Sequence, residues 1–371
     1  MCDIRTMAGG VESWEQVGLR VREARIAAGL SQVQLAGLLG VDRSALVRIE
    51  SGQRQVSALE LFRLSDHLGV PPTHFVSAPT PAIVSQRMDL DEAAQPAARD
   101  RFRLDAVLEA HARDADFLRA CGLLHDGIRL SPEPVASIAD AQVLAASARV
   151  AIAHDDGPLP GMASIAESFG LYILVAALPG EGASLRLDDR FGVAIVGAGA
   201  PAGRRRFTAA HELGHHLLGD EYQSDIGVAA SRDERERLID AFAAAFLLPE
   251  AVAISRWTHL GGSERDRLIQ LAAEFRVSWS VAVKVAQHAG LIAPQQAGKL
   301  RSETPQRGDF LAICGAEPAE DLRAGETGPA WRRAVLAAYH DGTVTPARAI
   351  ELLHGALDES DLPDRRDDAL Q

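Results

Sequence analysis

Short amphipathic segments dominate residues 14–76. Residue types that favour the start of a helix precede several of the apolar runs: Ser31, Asp42 and Ser57. Gly40 separates two of these runs and predicts a tight turn between two helices. The apolar positions predict one small shared core, formed by Leu35, Leu38, Leu39, Leu46, Ile49, Leu59, Leu61, Leu64 and Leu68. The pattern therefore predicts a bundle of short helices.

Two further helices are predicted in the second half of the chain. The first covers Ala209–Leu218, with Thr208 as its N-cap and Gly219 just beyond its end. The second opens at Ser231 in a Ser-x-x-Glu capping box and stops before Pro249.

The remaining pattern is a mixture of helix and strand. Asp100–Leu124 has apolar residues near helical spacing, which favours a packing helix over a dimer seam or a strut between domains. Leu171–Leu178 and Phe191–Val196 are β-like. Trp331–Tyr339 predicts a helix, and a further helix begins at Thr345, which is followed by proline.

Length and composition set the broad class. The 371 residues predict two or three domains, and a hydrophobic share of 47% suffices for real cores. No signal peptide is recognisable and no apolar run approaches about 18 residues, so we expect a cytoplasmic protein without membrane contact. The three cysteines are far apart and predict neither a disulfide nor a thiolate metal site.

A metal-binding motif lies in the helix predicted over Ala209–Leu218. His211-Glu212-x-x-His215 places two imidazoles four residues apart on one helix face, where both can bind one Zn²⁺. Glu212 would then act as the general base on water activated by the metal. The alternative is a surface helix that happens to carry two histidines.

A third ligand is expected downstream, because such a zinc site uses three protein ligands. Glu236 and Asp240 stand four residues apart, a spacing that resembles thermolysin-like zinc peptidases. That resemblance implies that Glu236 is the third ligand and that Asp240 orients a ligand histidine. Glu221 is the competing ligand at the metzincin spacing, but the glycine that metzincins need is Leu218 here.

The stretch Arg-Phe-Thr-x-Ala-His-Glu-Leu-Gly-His-His-Leu-Leu, with a later Phe-Ala-x-x-Phe-Leu-Leu-Pro, resembles the ImmA/IrrE family of zinc metallopeptidases. The resemblance covers about residues 145–295 and implies cleavage or antagonism of helix-turn-helix repressors. Two departures stand out. Asp240 replaces a usual asparagine, and Gly219-Asp220 replaces a frequent histidine.

Residues 14–76 resemble the XRE (Cro/repressor-type) helix-turn-helix family, and the alternative is a helical module that binds protein. The resemblance implies that the helix from Asp42 to Ser51 enters the major groove of double-stranded operator DNA. The candidate contacts are Arg43, Ser44 and Arg48 to bases, and Gln32 and Arg54 to phosphates. Residues 16–76 hold seven arginines against five acidic residues, whereas the whole chain carries −13. DNA affinity must therefore come from this local patch.

The sequence thus predicts a multidomain protein. An all-α helix-turn-helix domain (14–76) follows a disordered N-terminus (1–13). A linker and helical connector (77–144) leads to an α+β zincin-like domain of the gluzincin type (145–295). A helical C-terminal extension with an acidic tail (296–371) completes the chain.

The sequence leaves two functions open. One is a homodimeric transcriptional regulator whose zinc peptidase cleaves itself or a partner regulator or toxin protein, controlling stress, prophage or toxin–antitoxin genes. The other is a repressor or antitoxin-like DNA-binding protein whose zinc domain is structural or senses a ligand. In the first case an extended substrate would lie along a sheet edge, for which Phe191–Val196 is the candidate.

Overall fold

The computed structural model describes Val11 and residues 13–77, 96–130, 134–179, 182–219 and 229–364. In this part of the chain the fold is mostly helical and contains one three-stranded sheet. The N-terminal bundle consists of α1 (Trp14–Ala27), α2 (Gln32–Leu39), α3 (Arg43–Glu50), α4 (Ala58–Leu68) and α5 (Thr73–Val76). The next elements are α6 (Pro96–Ala120), α7 (Ile138–Ala151), α8 (Met162–Ser168), β1 (Leu171–Ala176), β2 (Gly182–Asp188), β3 (Phe191–Gly197), α9 (Ala202–Leu218) and α10 (Ala229–Leu247). The last are α11 (Glu250–Trp257), α12 (Glu264–Phe275), α13 (Trp279–His288), α14 (Pro294–Ser302), α15 (Arg307–Cys314), α16 (Pro329–His340), α17 (Pro346–Leu352) and a short 3₁₀ helix (Glu359–Asp361).

The helix starts of the N-terminal bundle agree with their predicted caps. Ser31 and Ser57 form capping boxes at the starts of α2 and α4. Asp42 Oδ1 accepts a hydrogen bond from the backbone N–H of Ala45 at 2.6 Å and so caps α3. Gly40 ends α2 with a φ of 72°, a conformation that glycine adopts without steric cost. The predicted turn between α2 and α3 is confirmed.

The core of the bundle contains most of the predicted residues. Leu35, Leu39, Leu46, Ile49, Leu64 and Leu68 are buried, and Leu61 is partly buried. The prediction is wrong for Leu38 and Leu59, which are 47% and 63% exposed. Successive residues on a helix differ by about 100° in direction, so Leu38 and Leu59 point away from the faces that carry Leu39 and Leu64.

The bundle packs against the long helix α6. Ala106 of α6 belongs to the buried core of the bundle. Arg20 of α1 pairs with Glu109 of α6 through an Nη2–Oε2 distance of 3.0 Å, and the Nδ1 atom of His74 in α5 lies 3.2 Å from the same Nη2 atom. All three polar side chains are almost completely buried. Since a buried charge is stable only when it is paired, these groups fix α1 and α5 on α6.

The sheet has the strand order β1-β3-β2. β1 runs parallel to β3, and β2 runs antiparallel to it. The prediction that Phe191–Val196 forms the substrate edge is therefore wrong, because β3 has a neighbouring strand on each side. The outer side of β1 is bonded to a C-terminal segment, since Val175 N–H donates to Glu326 O at 3.0 Å and Gly325 N–H donates to Val175 O at 2.8 Å. Within the described residues β2 is the strand whose outer edge stays open.

Helices cover both faces of the sheet. Alternate strand residues point to opposite faces, as the pleat requires. One face joins the larger core with α8, α9, α10 and α13, through Leu171, Ile173, Val175, Ala194 and Val196. The other face packs against α6, α16 and α17, through Tyr172, Leu174, Ala183, Leu185, Phe191, Val193 and Ile195. The sheet is thus the middle of three layers.

Two helix starts near the sheet differ from their predictions. α9 begins at Ala202, so the prediction that Thr208 caps it is wrong; Thr208 lies inside the helix and is buried. α10 begins at Ala229, so Ser231 does not open it. In both cases alanine or arginine residues before the expected cap are good helix formers and extend the helix towards its N-terminus. Gly219 ends α9 with a φ of 64°, as predicted.

The other predicted helices are present with shifted bounds. α6 begins and ends four residues earlier than Asp100–Leu124. Thr345 caps α17, as predicted. No single helix of the described chain is both long and apolar enough to span a bilayer, and a bent pair, Asp233–Leu247 with Glu250–Trp257, satisfies that test by length and composition alone.

Candidate metal centre

Two helices bring the three predicted metal ligands together. His211 and His215 project from the same face of α9, and their Nε2 atoms are 3.1 Å apart. Glu236 of α10 places its Oε2 atom 3.2 Å from His211 Nε2 and 3.9 Å from His215 Nε2. These are the residues of the described chain that form a group able to hold a metal ion. The roles of the three side chains as ligands remain a prediction.

The geometry of this group fits a small tetrahedral cation. Zinc binds imidazole nitrogen and carboxylate oxygen at about 2.0–2.2 Å, which places neighbouring ligand atoms roughly 3.3 Å apart. The three measured separations, 3.1, 3.2 and 3.9 Å, bracket that value. Nitrogen and oxygen donors without a thiolate also match the ligand sets of catalytic zinc sites.

Asp240 contacts one of the two histidines. Its Oδ1 atom lies 3.0 Å from His211 Nδ1, on the side of the ring opposite to Glu236. A carboxylate in this position favours the tautomer with the proton on Nδ1 and leaves the lone pair of Nε2 for a metal. The aspartate that replaces the usual asparagine of the resembled family can therefore accept this hydrogen bond.

The electrostatic environment of His211 favours a positive charge. Burial by itself lowers the pKa of this ring, but hydrogen bonds to Asp240 and Glu236 and the charge of Glu212 outweigh burial and raise it to about 10. Three carboxylates surround one imidazole, so the site attracts a cation, either a proton or a metal ion. Metal binding and protonation therefore compete for this ring.

Glu212 lies beside the ligands but faces the sheet. Its side chain is 5% exposed, and its Oε2 atom accepts a hydrogen bond of 2.6 Å from the hydroxyl of Ser184 on β2. Sequence reasoning missed Ser184, because no local pattern connects a serine on one strand with a carboxylate 28 residues later. The neighbouring His216 points elsewhere: its Nε2 atom lies 2.9 Å from Phe169 O, and burial lowers its pKa to about 4.

The sequence also offers Glu221 as a competing third ligand, and Tyr222 or His259 as a partner for the oxyanion of a peptidase. Glu221, the competing third ligand, lies outside the described residues, as does Tyr222, a candidate partner for the oxyanion. His259, the other candidate partner, follows α11, and its Nδ1 atom contacts Ser255 O at 2.9 Å.

The predicted DNA-contacting residues lie on or beside α3. Arg43, Ser44 and Arg48 are exposed on this helix. Gln32 at the start of α2 is held in place, because it donates to Glu50 at 2.9 Å and accepts from Arg43 at 3.4 Å.

Two further candidate side chains also have intramolecular partners. Ser44 Oγ donates to Asp42 Oδ1 at 2.6 Å. Arg54 forms a salt bridge with Glu60 at 2.7 Å, so a phosphate contact by Arg54 must compete with this pairing. The DNA contacts of all five candidates remain predictions.

The described chain thus combines a group that could hold a metal ion beside a sheet with a bundle of short helices. The chain matches the family model of the helix-turn-helix over residues 21–75 and that of the IrrE N-terminal-like domain, a peptidase family, over residues 166–285. The protein therefore carries an XRE-type DNA-binding domain and an ImmA/IrrE-like metallopeptidase domain. It is similar to the radiation response metalloprotease IrrE of Deinococcus radiodurans, with 35% identity over 102 residues. That similarity covers 26% of this chain and 31% of the relative.

Proposed function

We propose that this protein is a transcriptional regulator that binds operator DNA as a homodimer and cleaves itself or a partner regulator with a zinc-dependent peptidase domain. Cleavage would control stress, prophage or toxin–antitoxin genes. The observation that carries the proposal is the position of Glu212, a buried carboxylate next to a three-residue group that fits zinc. A structural zinc site needs the ligands but no such carboxylate.

The chemistry follows from these side chains. Zinc, when bound by His211, His215 and Glu236, would act as a Lewis acid. It would lower the pKa of water and polarise the carbonyl of the substrate. Glu212 takes the proton of the attacking water and passes it to the leaving amine. Among the described residues its Oε1 atom accepts no hydrogen bond, so that oxygen is available to receive the proton.

The open edge of β2 supports the proposal that the substrate is a peptide. β2 lies next to α9, and its outer backbone groups are not paired with another strand of the described chain. An extended polypeptide that pairs with this edge would pass beside α9, the helix that carries His211 and His215. The edge of β1 is unsuited to this role, because Gly325 and Glu326 already bond to it.

The experiment compares Glu212→Gln with the parent protein. Glutamine keeps the size of the side chain but cannot take a proton, so zinc content, folding and DNA affinity should persist. Cleavage should slow by ~10²–10⁴-fold, and regulation should fail. The comparison is made in cells that carry the neighbouring genes, with the sizes of this protein and its partners followed by immunoblot. Regulation by Glu212→Gln at the level of the parent would refute the peptidase and favour a structural or sensing zinc domain.

A further inference from the structure

Strand β2 contacts one oxygen of the Glu212 carboxylate and leaves room for the other. Ser184 Oγ donates to Oε2 at 2.6 Å. Gly182 leaves the space that Oε1 occupies: a Cβ atom on Gly182 would lie 3.0 Å from Oε1 and 2.5 Å from Cγ2 of Thr208. The two residues are two positions apart, so both face α9.

Packing against the opposite layer does not account for these two residues. The intervening Ala183 and the following Leu185 face the opposite layer and belong to its core. Ser184 is 6% exposed, and a buried hydroxyl requires a partner. A glycine in a strand weakens it and marks a close approach of another group. Here the partner of the serine is the Glu212 carboxylate. The groups that approach Gly182 from α9 are Cγ2 of Thr208 and Oε1 of the same carboxylate.

We propose that Gly182 and Ser184 are positioning residues for Glu212. Gly182 admits the carboxylate to the strand, and Ser184 holds Oε2 so that Oε1 keeps one orientation beside the metal ligands. This inference rests on the proposed function, since positioning matters for catalysis only if Glu212 is the general base. The strand that would bind the substrate would then also fix the base.

The first test measures the contact between Ser184 and Glu212 in metal-free protein and does not depend on catalytic activity. Unfolding by urea is followed for metal-free parent protein, Ser184→Ala, Glu212→Ala and the double variant. If the hydrogen bond couples the two side chains, the double variant should lose clearly less stability than the sum of the two single losses. Additive losses would refute the contact.

The second test measures turnover with the polypeptide that the parent cleaves in cells. Ser184→Ala should lower kcat about 10-fold and Gly182→Ala about 100-fold, because a displacement of about 1 Å has effects of this size. KM should stay within about twofold, and Ser184→Thr, which keeps the hydroxyl, should recover activity relative to Ser184→Ala. Zinc content is measured for each variant to exclude a lost metal.

Matched controls come from α14, far from β2 in the chain. Gly298→Ala adds a Cβ that meets no atom within 4 Å, and Ser302→Ala removes a hydroxyl that bonds only to Lys299 O in the described structure. Both should keep the parental kcat. An active parent whose Ser184→Ala and Gly182→Ala variants keep full kcat would overturn the positioning role alone. A parent that cleaves nothing under inducing conditions would overturn the proposed function, and this inference with it.

Discussion

Replacing Asp321 with alanine should destabilise α9, the helix that carries the predicted metal ligands His211 and His215. Asp321 follows α15 and is 5% exposed. Its Oδ2 atom forms an ion pair with Arg206 of α9, five residues before His211, and accepts the backbone N–H of Met162 at 3.1 Å. Arg206 itself is 1% exposed. The pair therefore joins the C-terminal part of the chain to the first half of α9.

The expected loss is large because the arginine cannot reach water. Burial lowers the pKa of Arg206 to about 10, with the charge of Asp321 opposing that change. Removal of one partner from a buried ion pair costs about 3–5 kcal/mol. Arg206 also donates to Pro160 O at 2.9 Å and to Leu159 O at 3.2 Å, so we expect a loss near the lower limit of that range. Asp321→Asn should lose less, because the amide oxygen can still accept from Met162.

Urea unfolding of the purified protein measures this loss. The neighbouring residue provides the control: Glu320 pairs with Arg205 at 3.0 Å but is 51% exposed in its side chain. An exposed pair contributes about 0–1 kcal/mol, so Glu320→Ala should change the unfolding free energy by no more than that. If Asp321→Ala costs no more than Glu320→Ala, the buried pair does not anchor α9.

Three further predictions concern zinc binding, DNA binding and the pH dependence of stability. The parent should hold about one zinc ion per chain, and Glu236→Ala should lose it, because two histidines seldom retain the ion. Full zinc content of the variant by atomic spectroscopy would contradict the ligand assignment. Arg48→Ala should weaken binding to the operator by ~1–3 kcal/mol more than binding to random DNA in gel-shift titrations, and equal losses would indicate a phosphate contact. Burial, followed by the charge of Arg348, lowers the pKa of His354 to about 4. The unfolded chain therefore binds a proton that the folded chain resists, and the unfolding free energy should fall by up to about 3 kcal/mol as the pH drops from 6.5 towards 4. His354→Gln should make the fall smaller by that amount, because other buried histidines such as His216 keep their own contribution. An equally steep fall in the variant would refute the role of this ring.

The helical bundle could be predicted because its signals are local. Ser31, Asp42 and Ser57 each cap a helix through atoms three residues away. Gly40 forms the turn between α2 and α3 through its own positive φ. Such contacts are encoded within a few residues, so the sequence pattern alone located them. The proximity of His211 and His215 is local in the same sense, since one helical turn separates them.

The sheet could not be predicted to the same degree. β2 carries glycine, alanine and serine in its first three positions, residues of low β-propensity or small apolar surface, and it was not predicted as a strand. The central place of β3 depends on its pairing with β1, about 20 residues earlier, as well as with β2. Pairings of this kind are decided by packing of the whole domain, so an apolar run such as Phe191–Val196 does not reveal whether it lies at an edge.

Segments beyond the matched peptidase region cover one edge of the sheet. The family match ends at residue 285, yet Gly325 and Glu326 bond to the outer side of β1. Asp321, a few residues earlier, fixes this segment to α9 through Arg206. With β1 covered in this way, β2 is the open edge among the described strands, and β2 is also the strand that holds Glu212. The C-terminal part of the chain thus contributes to the geometry of the candidate site without supplying a ligand.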